Sequence, residues 1–207
     1  MVSMNEWDAV YREKGAGSVG WFRPHLDVSL RLLERAGLSA QTRLIDVGAG
    51  ASTLVDDLLD RGVQDITVLD LSAEALGIVR TRLRDRAASV RFVASDVTTA
   101  PLPPSAFDIW HDRAALHFLL DAGDVSAYIA QATRALAQGG YAVIGGFAAD
   151  GPQRCSGHDV ARREPDGIAS LFGERFDLIE GVHETHITPD GRPQRFAYAL
   201  LRKRSAD

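Results

Sequence analysis

The stretch Arg43-Leu44-Ile45-Asp46-Val47-Gly48-Ala49-Gly50 constrains this chain more than any other. An aliphatic run ends in an acidic residue, glycines bracket an alanine, and Leu54, Val55, Leu58 and Leu59 follow at helical spacing. The pattern reads as strand, tight turn, helix. In a parallel α/β sheet such a turn lies at the carboxyl end of a strand. Glycine there lets the backbone approach a nucleotide-like ligand, and the helix N-terminus offers unpaired N–H groups.

The rest of the chain bounds what that turn can belong to. A length of 207 residues suits one domain with a sizeable core, and 45% apolar with 25% charged residues is ordinary for a soluble globular protein. No apolar run approaches a membrane span, and the start Met1-Val2-Ser3-Met4-Asn5-Glu6 lacks the pattern of a secretory signal, so a cytoplasmic location and no membrane partner are expected. The one cysteine, Cys155, rules out an internal disulfide and fits a reducing compartment. The net charge of −5, with no basic block, disfavours nucleic acid as a partner.

Strands are predicted at 43–47, 65–70, 90–94, 107–110 and 141–145, with helices between them. Ser72 is placed to cap the helix whose buried stripe is Ala75, Leu76, Val79 and Leu83. Strand–helix alternation implies a mostly parallel, doubly wound, Rossmann-like α/β sheet, because parallel neighbours need crossovers. The tail changes character. Runs 176–187 and 194–202 flank a turn containing Asp190-Gly191, so a C-terminal antiparallel hairpin closes the sheet. Residues 1–38 read as a helical leader: Trp7, Val10 and Tyr11 share a helix face, Lys14 to Gly20 is glycine-rich and looks mobile, and Trp21-Phe22-Arg23 suggests a lid. Residues 40–205 read as the core of one domain.

A dinucleotide fingerprint requires a third glycine, and Thr53 stands in its place. Acidic residues close three successive strands instead. Asp46 can orient the turn, Asp70 can accept both hydroxyls of a ribose, and Asp96 can accept from an exocyclic amine with Val97 beside the ring. In this ordered set the chain resembles the class I S-adenosylmethionine-dependent methyltransferases. Asp46, Gly48 and Gly50 look like their first motif, Asp70 like their ribose-binding acid and Asp96 like their adenine contact. The resemblance implies S-adenosylmethionine as cofactor, S-adenosylhomocysteine as product, and Leu71 and Trp110 as further cofactor contacts. The leader resembles those of lysine-modifying and thiopurine-type thiol methyltransferases.

The acceptor is less legible. His111 and Asp112 are the candidate catalytic residues, as base and as its orienting partner, against the alternative that Asp112 caps a following helix. His117 is weighed lower, as a packed core histidine. Trp21, Phe22, Arg23, Arg113 and Cys155 are the candidate substrate contacts, and Cys155 keeps a thiol or metalloid acceptor in view. No metal site is expected, because one cysteine cannot supply paired spacing and His183 and His186 fall on opposite faces of a strand. A small-molecule acceptor is the main reading, with a protein lysine as the alternative and a non-catalytic adenosyl-ligand protein as the second; monomer and homodimer both stay open.

Overall fold

The computed structural model describes residues 4–14, 17 and 19–205. The leader contributes helices α1 (Met4–Lys14) and α2 (Asp27–Arg35). In the glycine-rich stretch Lys14 to Gly20, read from sequence as mobile, residues 15, 16 and 18 lie outside the described residues. Then follow β1 (Arg43–Val47), α3 (Leu54–Asp60), β2 (Asp65–Asp70), α4 (Ala73–Leu83), β3 (Val90–Ala94), β4 (Phe107–Arg113), α5 (Ala122–Ala135) and β5 (Leu136–Phe147). A two-stranded ribbon, β6 (Arg154–Cys155) and β7 (His158–Asp159), precedes α6 (Pro165–Phe172) and the long pair β8 (Phe176–Ile187) and β9 (Pro193–Lys203).

The main sheet has seven strands in the order β3-β2-β1-β4-β5-β9-β8. Pairs from β3 across to β5 are parallel, while β9 runs antiparallel to both β5 and β8. The chain winds outward from β1 to β3, then returns to lay β4 on the other side of β1. That reversal, with Asp46 in register with His111, opens a crevice at the carboxyl ends of the strands.

Strand alternation splits the core between two faces. Leu44 and Ile109 pack with Leu32, Leu33, Leu54 and Leu58 beneath α2 and α3, while Ile45, Val47 and Trp110 pack with Tyr128 and Ala132 beneath α5. Ser72 caps α4, its hydroxyl accepting from the Ala75 N–H at 3.1 Å, and the expected stripe is buried. The same hydroxyl donates to Asp8 of α1 at 2.6 Å, and Arg12 pairs with Glu74 at 3.0 Å, which ties the leader helix to the start of α4 beside the crevice.

Two strand boundaries and one loop differ most from the sequence reading. β4 continues from Trp110 through Arg113, since His111 and Asp112 are both buried between neighbouring strands. β5 starts at Leu136, before its two glycines, and its pairing with β4 shifts register between Phe107 and Ile109 to absorb them. The stretch around Cys155, expected to be irregular, contains the β6–β7 ribbon.

Candidate functional site

The turn after β1 is built from left-handed backbone at Gly48 (φ 61°) and Gly50 (φ 55°), which side chains resist. A Cβ on Gly48 would overlap the Ala115 side chain, and one on Gly50 would overlap the Tyr11 hydroxyl. Asp70 clamps the turn: one carboxylate oxygen accepts from the Gly50 N–H at 2.7 Å, the other from the Ser72 N–H at 2.7 Å. Burial pushes Asp70 up to about 6 even though those bonds favour its charged form. At the end of β3, Asp96 accepts from the Thr98 N–H at 2.8 Å and from its hydroxyl at 2.7 Å.

These strand ends form one side of a cavity of about 900 Å³, counted out to its open mouth. Leu69, Asp70 and Leu71 line it from β2, and Ser95, Asp96 and Val97 from β3. Its other side is aromatic. Trp7 meets Phe118 at 5.0 Å and Trp21 at 5.9 Å, both edge to face, and Phe147 meets Phe196 at 4.9 Å in the same way. Tyr11 and Cys155 also face this space, and both are buried. Burial and the charge of Asp70 push the Tyr11 phenol up, so it is a neutral hydroxyl.

Two polar side chains stand in the aromatic half. Arg113 donates through Nε to the Tyr198 hydroxyl at 3.0 Å and through Nη1 to the Trp21 carbonyl at 3.1 Å, while its guanidinium lies 4.5 Å from the Phe196 ring centre. Its Nη2 is buried with no hydrogen-bond partner among the described residues. His117, 2% exposed, has no hydrogen-bond partner on either ring nitrogen among the described residues. Burial, with the nearby charges of Arg113 and Arg163, pushes it down to about 3, so its imidazole is neutral. Ala114 between them takes a left-handed φ of 75°, turning the chain out of β4 so that Arg113 to Leu119 wraps the cavity.

A smaller cavity adjoins the turn. It is lined by Phe22, Arg23, Asp46 and His111, and Trp21, Gly48 and Arg113 border both spaces. Arg23 pairs with Glu184 at 2.6 Å. His111 is bonded on both nitrogens, Nδ1 to Asp46 at 2.6 Å and Nε2 to the Ser29 hydroxyl at 2.9 Å, which holds β1, β4 and α2 together.

The sequence-derived assignments therefore divide. Gly48, Asp70, Leu71, Asp96 and Val97 line the larger cavity, as do Trp21, Arg113 and Cys155; Asp46, Phe22 and Arg23 line the smaller one. Gly50 lies under Tyr11 and shapes the turn from outside both cavity walls. Trp110 requires correction as a cofactor contact: it is fully buried on the α5 side, its indole N–H donating to Tyr128 at 2.9 Å. Asp112 lies on the same side, accepting from Tyr128 at 2.6 Å and from the N–H groups of Ala115 and Leu116 at 2.7 and 3.0 Å. Burial pushes it up to about 6, and it lines neither cavity. The physical reason for both shifts is the extra length of β4: its alternation sends 110 and 112 into one core and 111 under α2, so the first residue to reach the larger cavity is Arg113. Sequence reasoning missed Phe118, Phe147 and Phe196 as wall residues. Phe118 had a signal in its place beside His117, whereas Phe147 and Phe196 meet only because β5 and β9 pair. Among the described residues, no three His, Cys, Asp or Glu side chains converge as a metal group, and no helix is long and apolar enough to cross a membrane.

Comparison with known proteins bears on this geometry. Residues 44–140 match a family described as a methyltransferase domain. Over these residues, just under half of its length, the chain is similar to methyltransferase domains. The match spans β1 to the middle of β5, and the seven-stranded order with its antiparallel β9 completes the S-adenosylmethionine-dependent class I fold. The eEF1A lysine and N-terminal methyltransferase of Bos taurus is 25% identical over 118 residues, which cover 57% of this chain and 17% of that protein. The chain thus spans less than a fifth of the length of that relative. Among solved structures, the Burkholderia thailandensis 1,6-didemethyltoxoflavin-N1-methyltransferase, with its substrate and S-adenosylhomocysteine bound, matches with a TM-score of 0.71 and 22% identity. The match covers 99% of this chain and 92% of that one. A [4+2]-cyclase matches with a TM-score of 0.76 and 16% identity, over 98% and 95% of the two chains. The methyltransferase fold thus holds across relatives whose chemistry differs, and the acceptor must be argued from the site.

Proposed function

We propose that this methyltransferase domain transfers a methyl group from S-adenosylmethionine to a small-molecule acceptor, at sulfur, nitrogen or oxygen. The observation that carries the reading is a single cavity that joins carboxylate-bearing strand ends to an aromatic recess. The recess is closed by Trp7, Trp21 and Phe118, a shape suited to a compact molecule.

The residues present fit the cofactor. Gly48 and Gly50 hold the turn in left-handed backbone at the cavity edge, and Asp70 and Asp96 sit where acceptor-only groups suit ribose hydroxyls and an adenine amine. When bound, S-adenosylmethionine supplies a methyl group activated by a sulfonium. Asp70 would hold the ribose, and its carboxylate also fixes the turn. Val97 would pack beside the adenine. Asp46 and Arg23, in the smaller cavity, would serve the amino-acid portion. The aromatic walls would exclude water and hold the acceptor in line with the methyl carbon; orientation of this kind is worth about 7 kcal/mol or more in favourable cases. In this proposal residues 1–38 act as a lid on a 40–205 core, anchored through Asp8 and Arg12, and the single cysteine suits a cytoplasmic setting.

A protein-lysine acceptor is the second reading, favoured by the eEF1A lysine methyltransferase relatives. Calorimetry with S-adenosylhomocysteine, followed by a labelled-methyl screen of small molecules and lysine peptides, tests the set. Micromolar-range binding with transfer to small molecules is expected. No binding would sink the methyltransferase reading. Transfer only to peptides would favour lysine, and binding without any transfer would favour a non-catalytic adenosyl-ligand protein.

A further inference from the structure

The charges around the aromatic half of the larger cavity are unbalanced. The Arg113 guanidinium has a buried Nη2 without a hydrogen-bond partner among the described residues. Arg163 is outside the residues that line the cavity, but its charge acts on His117; it is half-buried, burial disfavours its guanidinium, and among the described residues no ion pair offsets it. The acids around these groups are already engaged: Glu184 with Arg23 at 2.6 Å and the Tyr198 hydroxyl at 2.7 Å, Glu164 with the Ala149 N–H at 2.8 Å and His183 at 2.6 Å, and Asp70 and Asp96, in the polar half, with backbone N–H groups. His117, on which the charges of both arginines act, is buried and, among the described residues, has no hydrogen-bond partner on either nitrogen. Buried polar groups are ordinarily satisfied, so a recess with an orphaned guanidinium N–H and an orphaned imidazole is built around a missing polar partner. Its positive surroundings select the sign of that partner. An ammonium would meet two guanidinium charges, whereas an anion would pair with them in a medium where such hydrogen bonds are strong.

We propose that the acceptor is a planar aromatic molecule that enters as an oxygen or sulfur anion, of the phenolate or thiophenolate class, received by Arg113 Nη2 and the N–H of His117. This deepens the methyl-transfer reading and rests on it. The aromatic framework packs against Trp7, Phe118 and Phe147, whose edges and faces suit a flat ring. The anion keeps a lone pair beyond its two hydrogen bonds. That pair forms the new O–C or S–C bond as the methyl–sulfonium bond breaks, and the breaking bond's electrons stay on the departing sulfur. The anion's charge and the sulfonium's charge cancel, no proton moves, and a base is not required. A neutral imidazole is the right companion for such a step, since it positions the nucleophile without competing for a proton.

The experiment compares thiophenol and 4-nitrophenol with benzylamine and a lysine-containing peptide, using labelled methyl donor. Wild type, His117→Leu, His117→Asn and Arg163→Gln are assayed, with thermal unfolding of each variant and calorimetry with S-adenosylhomocysteine. The anionic acceptors are expected to lead. His117→Leu and Arg163→Gln should each lower their kcat/KM by about tenfold or more, the usual scale for a lost hydrogen bond or charge contact to an ion. His117→Asn, which keeps a donor, should recover part of the loss, while S-adenosylhomocysteine affinity stays within about twofold in all variants. If His117→Leu fails to fold, Arg163→Gln carries the test. Preference for benzylamine or the peptide, or full anionic-acceptor turnover in His117→Leu and Arg163→Gln, would overturn the inference while leaving methyl transfer intact. Absence of S-adenosylhomocysteine binding in wild type would remove both.

Discussion

The two halves of the larger cavity are made in opposite ways. The polar half, Leu69 to Leu71 and Ser95 to Val97, comes from the ends of adjacent parallel strands, and each carboxylate is tied to backbone one or two residues away or to the neighbouring turn. The aromatic half gathers Trp7 from the leader, Phe118 after β4, Phe147 at the end of β5 and Phe196 from β9, elements spread over nearly the whole chain. One half is preorganised by sheet geometry; the other is assembled by packing. A scaffold of this kind can keep its methyl donor while the acceptor changes, because the aromatic half can be rebuilt without disturbing the strand ends.

Substitutions in the polar half should give the largest effects. Gly48→Ala forces a side chain into left-handed backbone and into Ala115. The combined strain and overlap of about 2–5 kcal/mol should weaken S-adenosylhomocysteine binding by about a hundredfold or more in calorimetry. Asp70→Asn should cost about ten- to a hundredfold through the lost charged acceptor. The same carboxylate gives a pH test. Burial pushes Asp70 up to about 6, and in the proposed site its ionised form is the one that would accept two ribose hydroxyls. Affinity should therefore hold above pH 6 and fall as pH drops through it, by at most about tenfold per unit. A flat profile, or one that survives Asp70→Asn, would separate this residue from ligand binding.

The aromatic half should respond differently. Trp7→Ala removes two edge-to-face pairs, worth about 0.5–1.5 kcal/mol each. It should lower acceptor kcat/KM about tenfold while leaving S-adenosylhomocysteine affinity within about twofold; equal loss of both would erase the distinction between the halves. The smallest effect is expected at Ala114. Glycine there relieves a left-handed alanine but adds unfolded-state freedom, so Ala114→Gly should change stability by about 1 kcal/mol or less, whereas Ala114→Val should lower Tm clearly.

Local chemistry explains which features were readable before folding. β1, β2 and β3 were bounded residue for residue because short aliphatic runs end at Asp46, Asp70 and Asp96 or their neighbours, and the cap at Ser72 follows from one hydroxyl and one N–H. Strand β4 shows where that logic stops. His111 and Asp112 look like loop chemistry in sequence, but the hydrogen bonds to Asp46, Ser29 and Tyr128 compensate their burial and keep them in the sheet.

The sequence by itself determined the parallel sheet, its closing hairpin, the glycine turn and the carboxylates around it, since each depends on residues close together in the chain. Tertiary structure alone decided that the Arg113 Nη2 and the His117 ring nitrogens are buried beside an aromatic recess without hydrogen-bond partners among the described residues, and that His111 and Asp112 do not reach it. Those outcomes depend on which strands pair and on which side of the sheet each residue falls, and strand pairing is a long-range property that no local pattern encodes.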